Sequence, residues 1–200
     1  VPVTLFPTTL SAVYQNGKKV VGEHNIDEPL LSPGDGERVG ERSKIKSMSL
    51  RPNFPANPRA IRLIAEADAI IFGPGDLYTS TIPNLLVKGI AAAIKKSRAT
   101  KIVITNLMTK HGQTDKFKAS DFVQVLKQYG GPINAAIINA KRPTDYWLAR
   151  HQKERSEFVE PDVAALKKLK VRVVAKPLLS KNLFQKNTNE RSFSALSRGE

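Results

Sequence analysis

Residues 67–96, ADAIIFGPGDLYTSTIPNLLVKGIAAAIKK, restrict the fold more than any other stretch, because they read as a buried strand, a tight glycine loop and a long amphipathic helix. That is half of a βαβ unit. Ala69, Ile70, Ile71 and Phe72 form an unbroken apolar run, as expected of a strand covered on both faces in a parallel sheet. Gly73, Pro74 and Gly75 stop it. Proline suits the first helical turn, so the next helix is predicted to start near Pro83, with Leu85, Leu86, Gly89, Ile90, Ala93 and Ile94 on one face. Thr79, Ser80 and Thr81 then sit at the helix mouth. Unpaired backbone N–H groups, the positive end of the helix dipole and three hydroxyls make that mouth a candidate phosphate seat.

The flanking chain repeats the alternation. Residues 1–5 and 10–14 read as short strands, and residues 18–23 follow across Asn16-Gly17, a strong hairpin signal. From 25 to 43 the chain is polar and rich in glycine and charge, which reads as a surface loop. KIKSMSL at 44–50 alternates as a half-exposed strand. Asn57 is a predicted cap and Pro58 a first-turn residue for a helix that buries Ile61, Ile64 and Ala65. After the long helix come a strand at 101–106, a helix at 120–129 capped by Ser120 and ended by Gly130-Gly131, and a strand at 134–139. Helices over 143–154 and 161–169 lead to a last strand at 171–175, and a basic polar tail occupies 180–200.

Strands alternating with helices imply right-handed crossovers, so loops that follow successive parallel strands open on the same sheet edge. Residues 73–81, 106–114 and 139–144 each follow a strand's carboxyl end, where open α/β sheets bind ligands. The first loop lacks the lysine and spacing of a Walker loop and is not a GxGxxG fingerprint, so it also reads as an ordinary strand-to-helix turn whose glycines take positive φ. The second adds the Asn106 amide, the Thr109 and Thr114 hydroxyls and the Lys110 cation; a plain polar loop is the other reading.

The chain contains no cysteine, which excludes disulfides, thiolate metal sites and cysteine nucleophiles and is compatible with a cytoplasmic location. His24, His111 and His151 show no short metal spacing, and no Ser-His-Asp or GxSxG arrangement is visible. His111 lies in the second loop, where it reads either as a phosphate donor or as a solvated side chain. Asp76 is a candidate Mg²⁺ ligand beside a phosphate. Tyr146 and Trp147 read as core aromatics or as a base-stacking pair. No apolar run is long enough to span a bilayer. A net charge of +14 favours anionic partners, and nucleic acid is the alternative to a phosphorylated small molecule, although no RRM, KH or helix-turn-helix pattern accompanies it. Steep salt dependence would mark nucleic acid, because binding then releases several counterions.

GPGDLYTSTIPNLLVKGI is similar to the GPGSLYTS-PNLL stretch of the CofD/YvcK family, in its YvcK-like gluconeogenesis-factor branch. NLMTKHGQT resembles that branch's NLMTQPGET, and ASDFVQVLKQYGGPINAAIINA and the hairpin ending in VVGEHNI also resemble the family, so coverage runs from about Val1 to Lys176. Asp76 stands where the pattern has serine, and His111-Gly112 replaces Pro-Gly. The family's GGGTG-type loop and DDGGSSG-type segment are not in this chain, which therefore resembles the later two-thirds of a family domain over 1–179.

The resemblance implies an α/β fold, a Rossmann-like, mainly parallel sheet flanked by helices with an amino-terminal β-hairpin. It also implies a cytoplasmic, non-catalytic regulator of carbon metabolism and cell shape that binds a nucleotide sugar of the UDP-sugar type. A CofD-type transferase of 2-phospho-L-lactate is the enzymatic alternative. The ligand-binding residues would be Gly73, Gly75, Asp76, Tyr78, Thr79, Ser80, Asn106, Thr109 and Asn139. His151 aligns with an aromatic position of the branch, and Arg191 with a late family arginine. A homo-oligomer is open, and Mg²⁺ is the one metal implied as a companion of the ligand.

Overall fold

A computed structural model describes residues 1–27, 44–151 and 154–179. Two sheets organise the chain. The first is antiparallel, in the order β2-β1-β3, from β1 (Thr9–Tyr14), β2 (Lys19–Val21) and β3 (Ile45–Arg51). The expected hairpin forms: Gly17 takes φ +84°, the Tyr14 N–H donates to the Lys18 carbonyl, and the Asn16 side chain accepts from the Lys18 N–H. The second strand is shorter than expected because Gly22, at φ +94°, turns the chain into a short helix, α1 (Glu23–Asp27), at the start of the supposed loop. The rest of that loop, residues 28–43, lies outside the described residues.

Residues 1–5 do not form a strand. Pro2 and Pro7 lack amide donors, and the segment instead lies against α2 (Pro58–Glu66): the Val3 carbonyl accepts from the Asn57 N–H and the Pro2 carbonyl from the Asn57 side chain. Asn57 also caps α2 as expected, accepting from the Arg59 N–H at 3.0 Å. Ile61 and Ile64 are half-buried, but Ala60 rather than Ala65 reaches the core. Asn57→Ala is expected to lower stability by about 1–2 kcal/mol, since it removes both the cap and the tether to Pro2. Thermal unfolding checks this, and a loss no larger than that of an exposed surface alanine would refute the cap's role.

The second sheet is parallel, in the order β4-β5-β6-β7, from β4 (Ala69–Phe72), β5 (Thr100–Ile104), β6 (Ala135–Asn139) and β7 (Arg172–Lys176). The expected α/β architecture is therefore present. Ile71 lies opposite Ile102 and Ile102 opposite Ala135, so the carboxyl ends of β4, β5 and β6 point the same way. Contrary to expectation, β4 is not covered on both faces. It is an edge strand among the described residues, with Phe72 buried and Ile71 59% exposed.

The long helix predicted after β4 is interrupted. A π-helical turn (Leu77–Thr81) runs into α3 (Ile82–Leu86), and a new helix, α4 (Ile90–Lys96), begins only after Gly89 adopts φ +105°. The break has a tertiary cause. Lys88 donates its N–H to the Asn53 side chain and accepts from the Ala56 N–H, and the Asn53 amide donates to the Leu86 carbonyl. The remaining helices are α5 (Ala119–Gly130), α6 (Asp145–His151) and α7 (Val163–Lys168). The α5 cap also departs from expectation, since Asp121 accepts from the Lys118 N–H while Ser120 bonds Asp162 through both its N–H and its hydroxyl. Gly131, at φ +92°, ends α5 as predicted.

Candidate functional site

The parallel sheet brings the loops after β4, β5 and β6 to one edge, and the first two are joined. The Asn106 side chain donates to the Gly75 carbonyl at 2.9 Å. Gly73 and Gly75 do not adopt the positive φ that their turn suggests, and a Cβ on Gly73 would meet nothing within 4 Å. Gly73 thus leaves open space at the crevice rather than answering a backbone demand, whereas a Cβ on Gly75 would stand in ordinary contact with Ser80 Cβ at 3.7 Å.

The helix mouth lies earlier than the sequence suggests. Ser80 and Thr81 donate their N–H groups to the Asp76 carbonyl, so both amides are consumed inside the π-helical turn. The mouth is at Asp76 and Leu77 instead. Ser80 is exposed and its carbonyl accepts from Asn84. Thr79 is buried and donates its hydroxyl to the Asp27 carboxylate at 3.2 Å. Tyr78 belongs to the core, edge-on to Phe117 with centroids 6.5 Å apart. Burial, with Tyr129 and Asp121 adding to it, pushes its phenol well above the usual tyrosine range, so it remains a neutral hydroxyl.

A polar cluster stands beside the mouth. Lys110 Nζ lies 3.4 Å from Asp27 Oδ2 and 3.6 Å from Asp76 Oδ2, while the Gln113 amide donates to Asp27 Oδ1 at 2.8 Å. Partial burial works against the Lys110 charge, but Asp76 and then Asp27 outweigh it and raise its pKa above the ordinary lysine value. Gln113 is buried, and its side-chain oxygen has no hydrogen-bond partner among the described residues. Asp27 and Gln113 were not among the sequence candidates. They come from α1 and from the far end of the second loop, and no local spacing connects them.

The second loop is tied down along its length. Thr109 exchanges two bonds with Glu157, through its N–H and its hydroxyl; the Val159 N–H donates to the Leu107 carbonyl; and the Lys110 N–H donates to Thr114 Oγ1. The His111 ring faces Asp115, with Nδ1 2.8 Å from the carboxylate. A carboxylate only accepts, so Nδ1 carries the proton and Nε2 is turned toward Arg155 at 3.5 Å. Asn139, at the third loop, donates to the nearby Lys141 carbonyl and accepts from the Leu178 N–H just beyond β7, so its side chain is already spent. His151 packs against Trp147 with the rings tilted by 44° and centroids 4.1 Å apart, and sits 3.6 Å from Glu154. Arg191 lies outside the described residues.

Among the described residues no three or more His, Cys, Asp or Glu side chains gather as a metal site, and Asp76 already faces an ammonium. A Mg²⁺ ion at Asp76 would therefore need phosphate oxygens to complete its shell. No helix among the described residues is long and apolar enough to cross a membrane.

A family profile described as "2-phospho-L-lactate transferase CofD" matches residues 1–179. A Thermotoga maritima protein is 37% identical over 179 residues, 89% of this chain and 52% of its own length. The Bacillus subtilis protein named "Gluconeogenesis factor" is 34% identical over 176 residues, 86% of this chain and 52% of that one. A crystal structure of a Bacillus halodurans protein superposes with a TM-score of 0.79 at 33% identity, covering 88% of this chain and 54% of the other. The chain thus spans about half the length of these three relatives.

Proposed function

The chain belongs to the CofD family, and from that premise we propose that its crevice binds the diphosphate of a nucleotide sugar of the UDP-sugar type, as a regulatory rather than a catalytic act. The observation that carries this reading is the joining of the first two loops at the carboxyl ends of β4 and β5 by Asn106 and Gly75. Beside that junction lie the open space at Gly73, the exposed Ser80 hydroxyl and the Lys110 ammonium. Phosphate oxygens seek hydroxyls, a cation and amide donors: Ser80 and Lys110 offer the first two, and the backbone amides at the mouth formed by Asp76 and Leu77, ahead of those consumed in the turn, are the candidates for the third. The name of the Bacillus subtilis relative supports the regulatory branch. Control of carbon metabolism and cell shape, and a cytoplasmic site of action, belong to the same proposal.

Calorimetric titration with UDP-glucose, with free glucose as control, tests it. Saturable binding of the first alone is expected, and no heat from either overturns the proposal. Ser80→Ala is expected to weaken UDP-glucose binding by about three- to tenfold at unchanged melting temperature, because the side chain is exposed. Thr79→Ala is expected to reduce stability as well, since its hydroxyl meets Asp27 and the Gln113 amide inside the protein. Unchanged affinity in the double variant would remove this loop from the site.

The family description favours one second reading, a CofD-type transferase of 2-phospho-L-lactate. Production of the phosphodiester from a nucleotide-activated phospholactate and a deazaflavin acceptor, with release of the nucleoside monophosphate, would establish it, and binding without turnover would exclude it.

A further inference from the structure

The His111 ring is held on one side and open on the other. Asp115 accepts from Nδ1 at 2.8 Å with one carboxylate oxygen and from the Gly112 N–H at 2.8 Å with the other, so the group that orients the ring is itself anchored. Nε2 is thereby aimed at Arg155. At 3.5 Å this contact is longer than an ordinary hydrogen bond, and it engages a single nitrogen of the guanidinium fork. No carboxylate among the described residues forms an ion pair with Arg155, because its neighbour Glu154 faces His151. Arg155 also takes φ +53°, a backbone conformation that side chains other than glycine rarely adopt. Just beyond it, Glu157 bonds Thr109 and Val159 bonds Leu107, which fixes the turn that carries Arg155 against the second loop.

We propose that His111 and Arg155 form a seat for a phosphate monoester dianion, built from residues other than those of the mouth at Asp76. The guanidinium offers its fork to two phosphate oxygens, and the imidazole takes one proton from solvent at Nε2 and donates it to the same group. Side by side, an imidazolium and a guanidinium repel; a dianion between them turns that repulsion into attraction, so protonation and binding are coupled. Asp115, behind the ring, supports the imidazolium and keeps Nε2 on line. Asp115 and Arg155 are the charged side chains in contact with the ring among the described residues: Lys110 is committed to Asp27 and Asp76, and Glu157 meets the loop through its backbone. Proline, which the family pattern carries at position 111, has no donor to offer here.

The test titrates the chain, carrying isotope-labelled histidine, with inorganic phosphate and, in a second arm, with glucose 6-phosphate, just above neutral pH and at an ionic strength held constant with chloride. The His111 ring signals are assigned by their loss in His111→Gln. The expected result is a saturable movement of the Nε2 resonance from the unprotonated toward the protonated position, which chloride alone does not produce. Arg155→Met should weaken phosphate binding by about tenfold or more, since it removes a charge-assisted fork. Its melting temperature should stay unchanged, because Arg155 is exposed. Arg155→Lys should recover part of the affinity, keeping the charge without the fork. Equal affinities in the two arms assign the seat to free phosphate, and tighter binding of the ester assigns it to a phosphorylated small molecule. Phosphate that leaves the His111 signals unmoved would overturn the proposal, as would a movement equal in the wild type and Arg155→Met. None of these outcomes requires UDP-glucose to bind, so the seat stands or falls separately from the nucleotide-sugar reading.

Discussion

Ile82→Ala is expected to lower stability by about 2–5 kcal/mol, the cost of removing a large buried side chain from a site that collapses only partly. Ile82 is fully buried, with 0% exposure, and is the first residue of α3. It follows directly on the π-helical turn that is capped by Asp76 and carries Thr79 and Ser80, so the cavity would open next to the element that forms the candidate phosphate seat. For a domain of this size the melting temperature should fall by on the order of 10 °C. Ile82→Val should cost only about 0.5–1.5 kcal/mol. If the two variants melt together, Ile82 does not fix this element. UDP-glucose affinity, measured well below the melting range, should fall in the alanine variant and persist in the valine variant.

Asp76→Ser is expected to tighten UDP-glucose binding by about five- to tenfold in metal-free buffer. In the wild-type cluster two carboxylates share one ammonium, which leaves one net negative charge beside the seat proposed for a diphosphate. Like charges ~4 Å apart repel by about 1 kcal/mol in water and by more where solvent is excluded. The substitution removes that repulsion and leaves Lys110 with Asp27 alone. Lys110 stays charged throughout: its pKa is raised above 10.5, so its contribution to stability is complete below that value and is lost only as pH climbs through the folded pKa. Titrations of both proteins with Mg²⁺ and with chelator separate the cases. Weaker binding by the variant only when Mg²⁺ is present would make Asp76 a metal ligand. Four identical affinities would take it out of the site.

Local signals carried much of this fold. The Asn16-Gly17 turn, the Asn57 cap, the Gly131 stop and the apolar runs of β4, β5 and β6 are all set by neighbours in sequence, and each stands within a residue or two of its expected place. Some failures are local, as where Gly22 turns the chain early and the π-helical turn consumes the Ser80 and Thr81 amides, but the larger ones come from contacts between distant segments. Nothing within 67–96 announces that Asn53 and Ala56 will bond to Lys88 and break the helix. Nor does the spacing of the second loop reveal that Asp27, 83 residues before Lys110 and 52 before Thr79, will join both. The exposure of Ile71 is invisible for the same reason, because a strand's sequence records the environment it suits and not whether a neighbour is present.

The ties between the second loop and residues 157–159 have a thermodynamic consequence for whatever binds above them. Thr109, Leu107 and Lys110 already hold their backbone bonds without a ligand, so binding need not order this wall of the crevice. Its conformational entropy is lost when the chain folds, not when the ligand arrives. Amide exchange at Thr109 and Val159 should therefore be slow in the free protein and change little on saturation, with any ligand-induced slowing concentrated in residues 73–80.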